Sequence, residues 1–334
     1  MAEKRAQTDN SSGASPLQRD AQALILTDGK MGDLAHCRGV ASVLGMNTTE
    51  HVVQPSKLAA ALGRASNMKA FLSKLENLSP QPVLAIASGR RTVPYLKAVK
   101  TRFGQNLLTL FLKDPRTGAE TADLIWVPTH DKLRGANVLV TNTAPHRYTS
   151  DITESAAEEL AKHLPESSWP RPWLGVVLGG VTGSVRYEAQ TVTALRDAIV
   201  KASTHAGAVL VTPSRRTPAD VLDGLMGLHS NVWIWDGHDP NPYAGMLGAC
   251  DAFLVTGDSH NMVSEVLSAG RQTMVFRPAG LPTKFTRFLD SMSDNGAILV
   301  PEATSFDHHQ APIDATPVIA NWVTDALKTR GLYV

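Results

Sequence analysis

The sequence predicts an α/β protein with two doubly wound parallel sheets in tandem. Three observations support this prediction. Short apolar segments alternate with helical patterns along the chain, an order that puts parallel strands beneath covering helices. The alternation stops at a proline-rich stretch, PESSWPRP at 165–172, and then starts again. The length of 334 residues fits two domains of about 150 residues each.

The proline-rich stretch sets the predicted domain boundaries. We predict a disordered tail over 1–20, a first doubly wound domain over 21–165, a second over 172–316 and a C-terminal helix over 317–334. The tail mixes acidic and basic residues and has no apolar core, so the sequence does not predict a signal peptide or a transit sequence.

The composition narrows the function classes. Apolar residues make up 43% of the chain and charged residues 19%, which is enough for a sizeable core. The net charge of +1 provides no basic field for nucleic acid, so we expect no nucleic-acid partner. Two cysteines are too few for a disulfide framework, which favours a cytoplasmic protein. No apolar run approaches the roughly 20 residues of a membrane span.

Individual elements follow from the apolar periodicity. In the first domain we predict strands at 24–27, 51–54, 83–87, 107–112, 124–127 and 138–141, and helices at 34–44, 56–78, 92–101 and 152–164. In the second domain we predict strands at 174–178, 209–212, 232–235, 253–255, 273–276 and 297–300, and helices at 189–203, after 218, before 253, up to 270, at 283–293 and at 317–328.

The stretch 241–270 organises the second domain. An apolar strand breaks at Thr256-Gly257, and either Asp258 or Ser259 caps the helix that follows. A helix N-terminus after a buried strand is a ready anion site, so we predict that it faces a nucleotide phosphate. Glu265, on the same helix, would then reach the sugar hydroxyls. The alternative is an ordinary strand–turn–helix unit in which Glu265 is an exposed acid.

Other loops at strand ends of the second domain fit the same ligand, because open α/β sheets bind ligands there. Gly179 and Gly180 allow close approach of the backbone to a ligand, although a plain tight turn explains them equally well. Ser214, Arg215 and Arg216 follow the next strand, where paired arginines suit a pyrophosphate. A solvated pair is the alternative.

The first domain has polar residues at its own strand ends. Asp28 and Lys30 follow the first strand and Arg90 follows the third, which suits acceptor binding or base catalysis. His36 comes one turn into the next helix, where we expect a surface or capping role. Trp235 would frame a nucleobase or belong to the core.

The sequence offers little for a metal ion. It has no DxD pair, which many sugar-nucleotide enzymes use as metal ligands. The run Asp307-His308-His309 is a weak candidate without a partner cluster, so we predict neither a metal nor a resident cofactor.

Ten segments together resemble the mitochondrial fission family named for elongated mitochondria, with its bacterial relatives. The segments are DGKMG at 28–32, SGRRT at 88–92, DPR at 114–116, PTHD at 128–131, APHR at 144–147, GG at 179–180, SRRTP at 214–218, NPYAGML at 241–247, TGDSHNMVSE at 256–265 and KFTRF at 284–288. Their order and spacing match along residues 21 to about 300.

The resemblance implies a GT-B architecture, in which two Rossmann-like domains face each other across a cleft. It also implies a glycosyltransferase. Since the sequence has no DxD pair, we expect a metal-independent enzyme that uses a nucleotide sugar as donor substrate. The donor would contact Gly179, Gly180, Ser214, Arg215, Arg216, Asp258, Ser259 and Glu265, while Asp28, Lys30 and Arg90 would face the acceptor. By class analogy, we expect a glycan or lipid-linked acceptor, with the protein in the cytoplasm or held peripherally at the inner membrane face.

Two other functions stay open at this point. Eukaryotic members of the family engage a dynamin-like partner in organelle division, so the fold could serve as a non-catalytic scaffold. A nucleotide-sugar epimerase on the same architecture would need an acid and a base on both faces of the sugar. Asp28 or Asp33 together with His130 or His146 could supply them.

Overall fold

The structure is a computed structural model that describes residues 21–53, 68–164, 169–228, 230–238, 240–301, 305–308 and 310–332. The predicted tail at 1–20 lies outside these residues. So do part of the predicted helix at 56–78 and positions 165–168 of the proline-rich stretch.

The described residues of the first domain form a six-stranded parallel sheet in the order β2-β1-β3-β4-β5-β6. Its strands are β1 (Gln22–Thr27), β2 (Asn47–Val52), β3 (Leu84–Ser88), β4 (Leu108–Leu112), β5 (Leu124–Pro128) and β6 (Val138–Thr141). β1, β3, β4 and β5 are buried along nearly their whole length, as their unbroken apolar runs predict.

The described residues of the second domain form a five-stranded parallel sheet in the order β11-β10-β7-β8-β9. Its strands are β7 (Trp173–Leu178), β8 (Ala208–Pro213), β9 (Val232–Ile234), β10 (Ala252–Thr256) and β11 (Gln272–Phe276). In both sheets the strand order reverses direction beside the first strand of the domain, which is the doubly wound arrangement that the sequence predicts.

Helices cover both sheets. Among the described residues the α-helices are α1 (Met31–Val43), α2 (Met68–Glu76), α3 (Val93–Phe103), α4 (Ser150–His163), α5 (Ala189–Ser203), α6 (Ala219–Asp223), α7 (Tyr243–Ala249), α8 (His260–Ser268), α9 (Thr283–Asp294) and α10 (Ala315–Thr329). Within the described ranges, none of them combines the length and apolar character that a bilayer crossing demands.

Two strand predictions differ from the structure. β2 begins at Asn47 and not at 51, because it is a polar, half-exposed edge strand whose sequence, NTTEHV, carries no apolar run. The strand predicted at 297–300 is wrong, since Leu299 makes only an isolated bridge with Met274. This segment follows directly on a turn at Gly296, which leaves too few residues for a paired strand.

Two helices pack in the core of the domain formed by the other half of the sequence. α4 precedes the proline-rich stretch, yet Leu160 packs in the core of the second domain beside Trp173 and Phe253. α10 ends the described chain, yet Ile319 and Val323 pack against the first sheet. Each domain therefore receives a helix from the other half of the chain, and within the described residues the chain crosses between the domains at two places.

Gly39 of α1 offers a test of this packing. A Cβ at Gly39 would lie 2.1 Å from the carbonyl oxygen of His146, in the segment that crosses to the second domain. We expect Gly39→Ala to lower the free energy of unfolding by about 1–3 kcal/mol, because backbone cannot yield as a side chain does. Chemical denaturation measures the change.

Gly183→Ala is the matched control, since nothing lies within 4 Å of the position of its Cβ. Its unfolding midpoint should stay close to that of the wild type. Equal midpoints for the two variants would show that α1 does not pack tightly on the crossing segment.

Candidate functional site

Three loops at the carboxyl ends of β7, β8 and β10 meet in the second domain. The backbone N–H of Gly179 donates to Thr256 Oγ1 at 2.7 Å, which joins the first loop to the end of β10. Ser214 Oγ donates to the carbonyl oxygen of Gly179 at 3.0 Å, which joins the first loop to the second. The predicted residues of these loops therefore lie together, at the edge of the sheet where ligands of this architecture bind.

The side chain of Asp258 holds these loops in place through hydrogen bonds. Its side chain is buried, Oδ2 accepts from the backbone N–H of Gly180 at 3.0 Å, and Oδ1 accepts from the Tyr187 hydroxyl at 3.3 Å. A Cβ at Gly179 would lie 2.1 Å from Asp258 Oδ2, so the loop passes directly over the carboxylate. This geometry favours a positioning role for Asp258 over the direct ligand contact that the sequence suggests.

Ser259 is the residue that caps α8. Its Oγ accepts from the backbone N–H of Met262 at 3.4 Å, and its backbone is extended. Val263, Val266 and Leu267 form the buried face of the helix. The cap satisfies one amide of the first turn and leaves the dipole of the N-terminus directed at the crevice between the domains.

Arg215 and Arg216 are both exposed at the rim of these loops. The backbone of Arg216 is held firmly, since its carbonyl oxygen accepts from Val181 N–H at 3.0 Å. A Cβ at Gly180 would lie 2.1 Å from the same carbonyl oxygen. The guanidinium groups make no ion pair with any described residue, so both positive charges remain available.

Glu265 is not an exposed helix acid. It is half-buried, and its Oε2 accepts from the Tyr243 hydroxyl at 2.9 Å. Burial raises the pKa of Glu265 to about 7, and the Tyr243 hydroxyl and the nearby His146 and Arg147 limit the rise. The carboxylate keeps acceptor capacity beyond the Tyr243 bond.

Asp28 is a buried carboxylate in the first domain. Its side chain is 1% exposed, and Oδ2 lies 3.2 Å from Lys30 Nζ. A Cβ at Gly89 would lie 3.3 Å from both oxygens, so the loop that leads to the exposed Arg90 runs over this carboxylate. Neither oxygen accepts a hydrogen bond from a described residue. Asp28 is thus paired with Lys30, and the backbone that leads to Arg90 lies over its carboxylate.

His36 is wrongly predicted as a surface or capping residue. Its side chain is buried against Trp126, with ring centroids 5.9 Å apart, and burial lowers its pKa to about 3. Asp33, on the same helix, forms an ion pair with Lys113. His36 is buried because the face of α1 that carries it also carries Cys37 and Val40 into the core.

The first turns of α1 and α8 approach each other between the two domains. A Cβ at Gly32, in the first turn of α1, would lie 3.3 Å from the side-chain nitrogen of Asn261, in the first turn of α8. The N-cap residue of α1, Lys30, makes no capping hydrogen bond through its side chain. Two helix N-termini therefore meet at the crevice, and both favour negative charge between them.

Polar contacts that the sequence did not predict join α8 to the segment that crosses between the domains. His260 Nε2 lies 2.9 Å from the carbonyl oxygen of Asn142, and Ser264 Oγ accepts from Ala144 N–H at 2.9 Å. Burial lowers the pKa of His260 to about 3, so the ring is neutral. The only sequence signal was the polar residues inside an otherwise apolar helix.

His146 belongs to this same contact and is buried beside α10. Its backbone N–H donates to Thr316 Oγ1 at 3.0 Å, and its Nε2 lies 3.2 Å from Asp314 Oδ1. A histidine held in this way fixes the crossing segment, which speaks against the acid or base role open to it in an epimerase.

Trp235 lines a cavity of about 890 Å³ between α4 and the loop after β9. It is half-buried, and its Nε1 donates to the carbonyl oxygen of His238 at 2.5 Å. Asn241 and Pro242 line the same cavity and directly precede Tyr243, the partner of Glu265. Trp235 is therefore a wall of a cavity next to the Glu265 site, and not a core residue.

The weak metal candidate gains no support. No group of three or more histidine, cysteine or acidic side chains suited to a metal occurs within the described ranges. Asp307 and His308 are exposed, and His309 lies outside the described residues.

Comparison with solved structures gives the fold. The chain resembles the crystal structure of MurG from Acinetobacter baumannii with a TM-score of 0.50 and 14% identity, over 93% of this chain and 92% of that one. At this identity the likeness concerns the fold alone. It confirms the predicted GT-B architecture of two Rossmann-like domains.

Sequence comparison gives the family. Mitochondrial fission protein ELM1 from Arabidopsis thaliana is 26% identical over 325 residues, which cover 86% of this chain and 76% of that protein. The uncharacterized protein RP120 from Rickettsia prowazekii is 24% identical over 292 residues, which cover 74% of this chain and 80% of that protein. The family model described as mitochondrial fission ELM1 matches residues 31–327. The chain therefore belongs to the mitochondrial fission ELM1 family, as the resemblance of its motifs predicts.

Proposed function

We propose that this protein is a metal-independent glycosyltransferase that takes its sugar from a nucleotide sugar bound between the two domains. One observation carries the proposal. The loops after β7 and β8 are hydrogen-bonded to one another and to the N-terminal end of α8, whose Glu265 is held by Tyr243. The GT-B fold is compatible with this function.

The diphosphate would lie at the N-terminus of α8. Backbone amides in the first turn of α8 would donate to its oxygens, and the guanidinium groups of Arg215 and Arg216, which make no ion pair with a described residue, would neutralise its charge. One helix terminus contributes only roughly 0.3–2 kcal/mol. The second N-terminus, that of α1, and the two arginines would therefore have to act together in place of a metal ion.

The nucleoside would extend from the diphosphate along α8. Glu265 would accept hydrogen bonds from the ribose hydroxyls while Tyr243 keeps its carboxylate oriented. Asn241 and Pro242, which precede Tyr243 in the chain, line the cavity beside Trp235, and the indole would give the base an aromatic wall.

The acceptor would enter from the first domain. Asp28 is buried and has unused lone pairs, so it is suited to take the proton of an acceptor hydroxyl. The hydroxyl oxygen would form a bond to the anomeric carbon while the bond from that carbon to the diphosphate breaks, releasing a nucleoside diphosphate. Lys30 and Arg90 would orient the acceptor. A glycan or lipid-linked acceptor, met at a membrane surface, suits this class of enzyme by analogy.

A non-catalytic role is the second candidate, because the chain belongs to a family named for mitochondrial fission. The epimerase alternative has no contact of its own in its favour. In a strain that lacks the protein, Glu265→Ala would restore the phenotype if the protein is a scaffold and fail to restore it if it is a transferase.

Calorimetry with a panel of nucleoside diphosphates tests donor binding. We expect one of them to bind, and we expect Glu265→Gln and Arg215→Gln each to weaken it roughly ten-fold, because each removes a charge-assisted hydrogen bond. Arg196→Gln is the matched control, since Arg196 is exposed on α5 and is not among the residues proposed to bind the donor. Absence of binding to every member of the panel at millimolar concentration would refute the proposed function.

The raised pKa of Glu265 predicts a pH dependence of donor binding. Below about 7 the carboxyl is protonated and becomes a poorer acceptor, so nucleoside diphosphate affinity should fall as the pH drops through this value. The phosphate groups titrate as well, and the Glu265→Gln variant separates the two effects. Its affinity should follow the phosphates alone. Identical pH profiles for wild type and variant would mean that Glu265 does not contact the ligand.

Asp28→Asn should separate binding from catalysis. The amide keeps the shape of the side chain but cannot accept a proton, so we expect acceptor-dependent release of nucleoside diphosphate to fall roughly 100-fold or more with donor affinity unchanged. Asp325→Asn on the exposed face of α10 is the control. Unchanged turnover in Asp28→Asn would exclude this carboxylate as the base.

A further inference from the structure

A second pocket lies between the domains on the other side of His260. We call it the basic interdomain pocket. It encloses about 420 Å³, and His130, Lys132 and Arg134 of the first domain line it together with Arg287, Phe288 and Ser291 of α9. The residues that line it include neither Asp28 nor any residue proposed to bind the donor.

The wall from the first domain is a rigid loop. The guanidinium of Arg134 donates to the carbonyl oxygens of Asp131 at 2.6 Å, Leu133 at 2.7 Å and Thr129 at 3.1 Å. These bonds fix the loop after β5 and hold the charge of Arg134 at the pocket. The neighbouring Lys132 is exposed and makes no ion pair with a described residue.

The wall from the second domain is one face of α9. Arg287, Phe288 and Ser291 are placed on it by helical spacing. Phe288 is buried against the His260 ring, with centroids 4.5 Å apart, and it anchors this face. Arg287 beside it is exposed and has no ion-pair partner among the described residues.

The charges of the pocket are unbalanced. Three cationic side chains line it against one acid, Asp131, and the cations come from both domains. Like charges on facing walls repel each other unless an anion lies between them. His130 adds an imidazole whose pKa is lowered by burial, and its buried Nδ1 has no hydrogen-bond partner among the described residues.

We propose that the basic interdomain pocket binds a phosphate group carried by the second substrate. This proposal rests on the proposed function, in which that substrate is the acceptor. The His130 ring contacts the ring of His260, the first residue of α8, with centroids 4.8 Å apart. The His130 ring thus lies between the pocket and the helix at which the donor diphosphate would bind. Its volume also exceeds that of a phosphate, which leaves room for part of the attached group.

Titration with inorganic phosphate tests the proposal directly. The full chain is first saturated with the nucleoside diphosphate that it binds best, so that the donor site is occupied. Phosphate is then titrated against chloride of equal ionic strength, and heat and melting temperature are recorded. We expect wild type to bind phosphate, Lys132→Gln and Arg287→Gln to bind it roughly ten-fold more weakly, and Arg287→Lys to recover part of the loss.

Two controls make the result specific. Arg196→Gln removes an exposed arginine elsewhere and should behave as the wild type, and circular dichroism checks that every variant is folded. If no nucleoside diphosphate binds, the proposed function fails, and the same titration without nucleotide still tests the pocket. Phosphate binding that depends on Arg215 and not on Arg287 would overturn this inference, as would no binding at all.

Two further ligands identify the source of the phosphate. A soluble sugar phosphate and vesicles of phosphatidylglycerol are compared, with phosphatidylcholine vesicles as the neutral reference. Sensitivity to Arg287→Gln in the vesicle experiment alone would assign a lipid-linked phosphate, and sensitivity with the sugar phosphate alone would assign a soluble one. Insensitivity in both experiments would contradict the proposal.

Discussion

The structure depends on the contact that α8 makes with both domains at once. Ser264 Oγ donates to the carbonyl oxygen of His260 within the helix and accepts from Ala144 N–H of the crossing segment. His260 contacts the carbonyl oxygen of Asn142 in the same segment. The helix that would bind the donor is therefore also part of the interface between the domains. Binding of a ligand at the N-terminus of α8 would depend on the relative position of the two domains, because a shift of either domain would disturb this helix.

Much of the second domain could be predicted from sequence. The stretch 241–270 carries a buried strand, a small turn, a serine cap and an apolar stripe, and local signals of this kind agree with one another. The loops after β7 and β8 were likewise placed at the correct sheet edge. What sequence could not give is the direction of each side chain. Asp258 and Ser259 are adjacent and both suit a cap, but only tertiary contact with Gly180 and Tyr187 turns Asp258 inward.

Other features escaped prediction because they depend on distant parts of the chain. The edge strand β2 is polar, and pairing with β1 alone makes it a strand. His36 is polar in isolation, but the same helix face carries Cys37 and Val40 into the core. Long-range packing places α4 and α10 in the opposite domains. The local periodicity of a helix does not show which sheet covers its apolar face.

The two crossings of the chain lie side by side. The backbone of His146 in the first is hydrogen-bonded to Thr316 beyond the second, and its ring lies against Asp314. Two adjacent chain segments joined in this way would form a hinge if the angle between the domains changed. Glu265 lies near this hinge, because His146 is one of the groups that limit the rise of its pKa. A ribose bound at Glu265 would then be displaced little by such a change, and the displacement would grow with distance from His146.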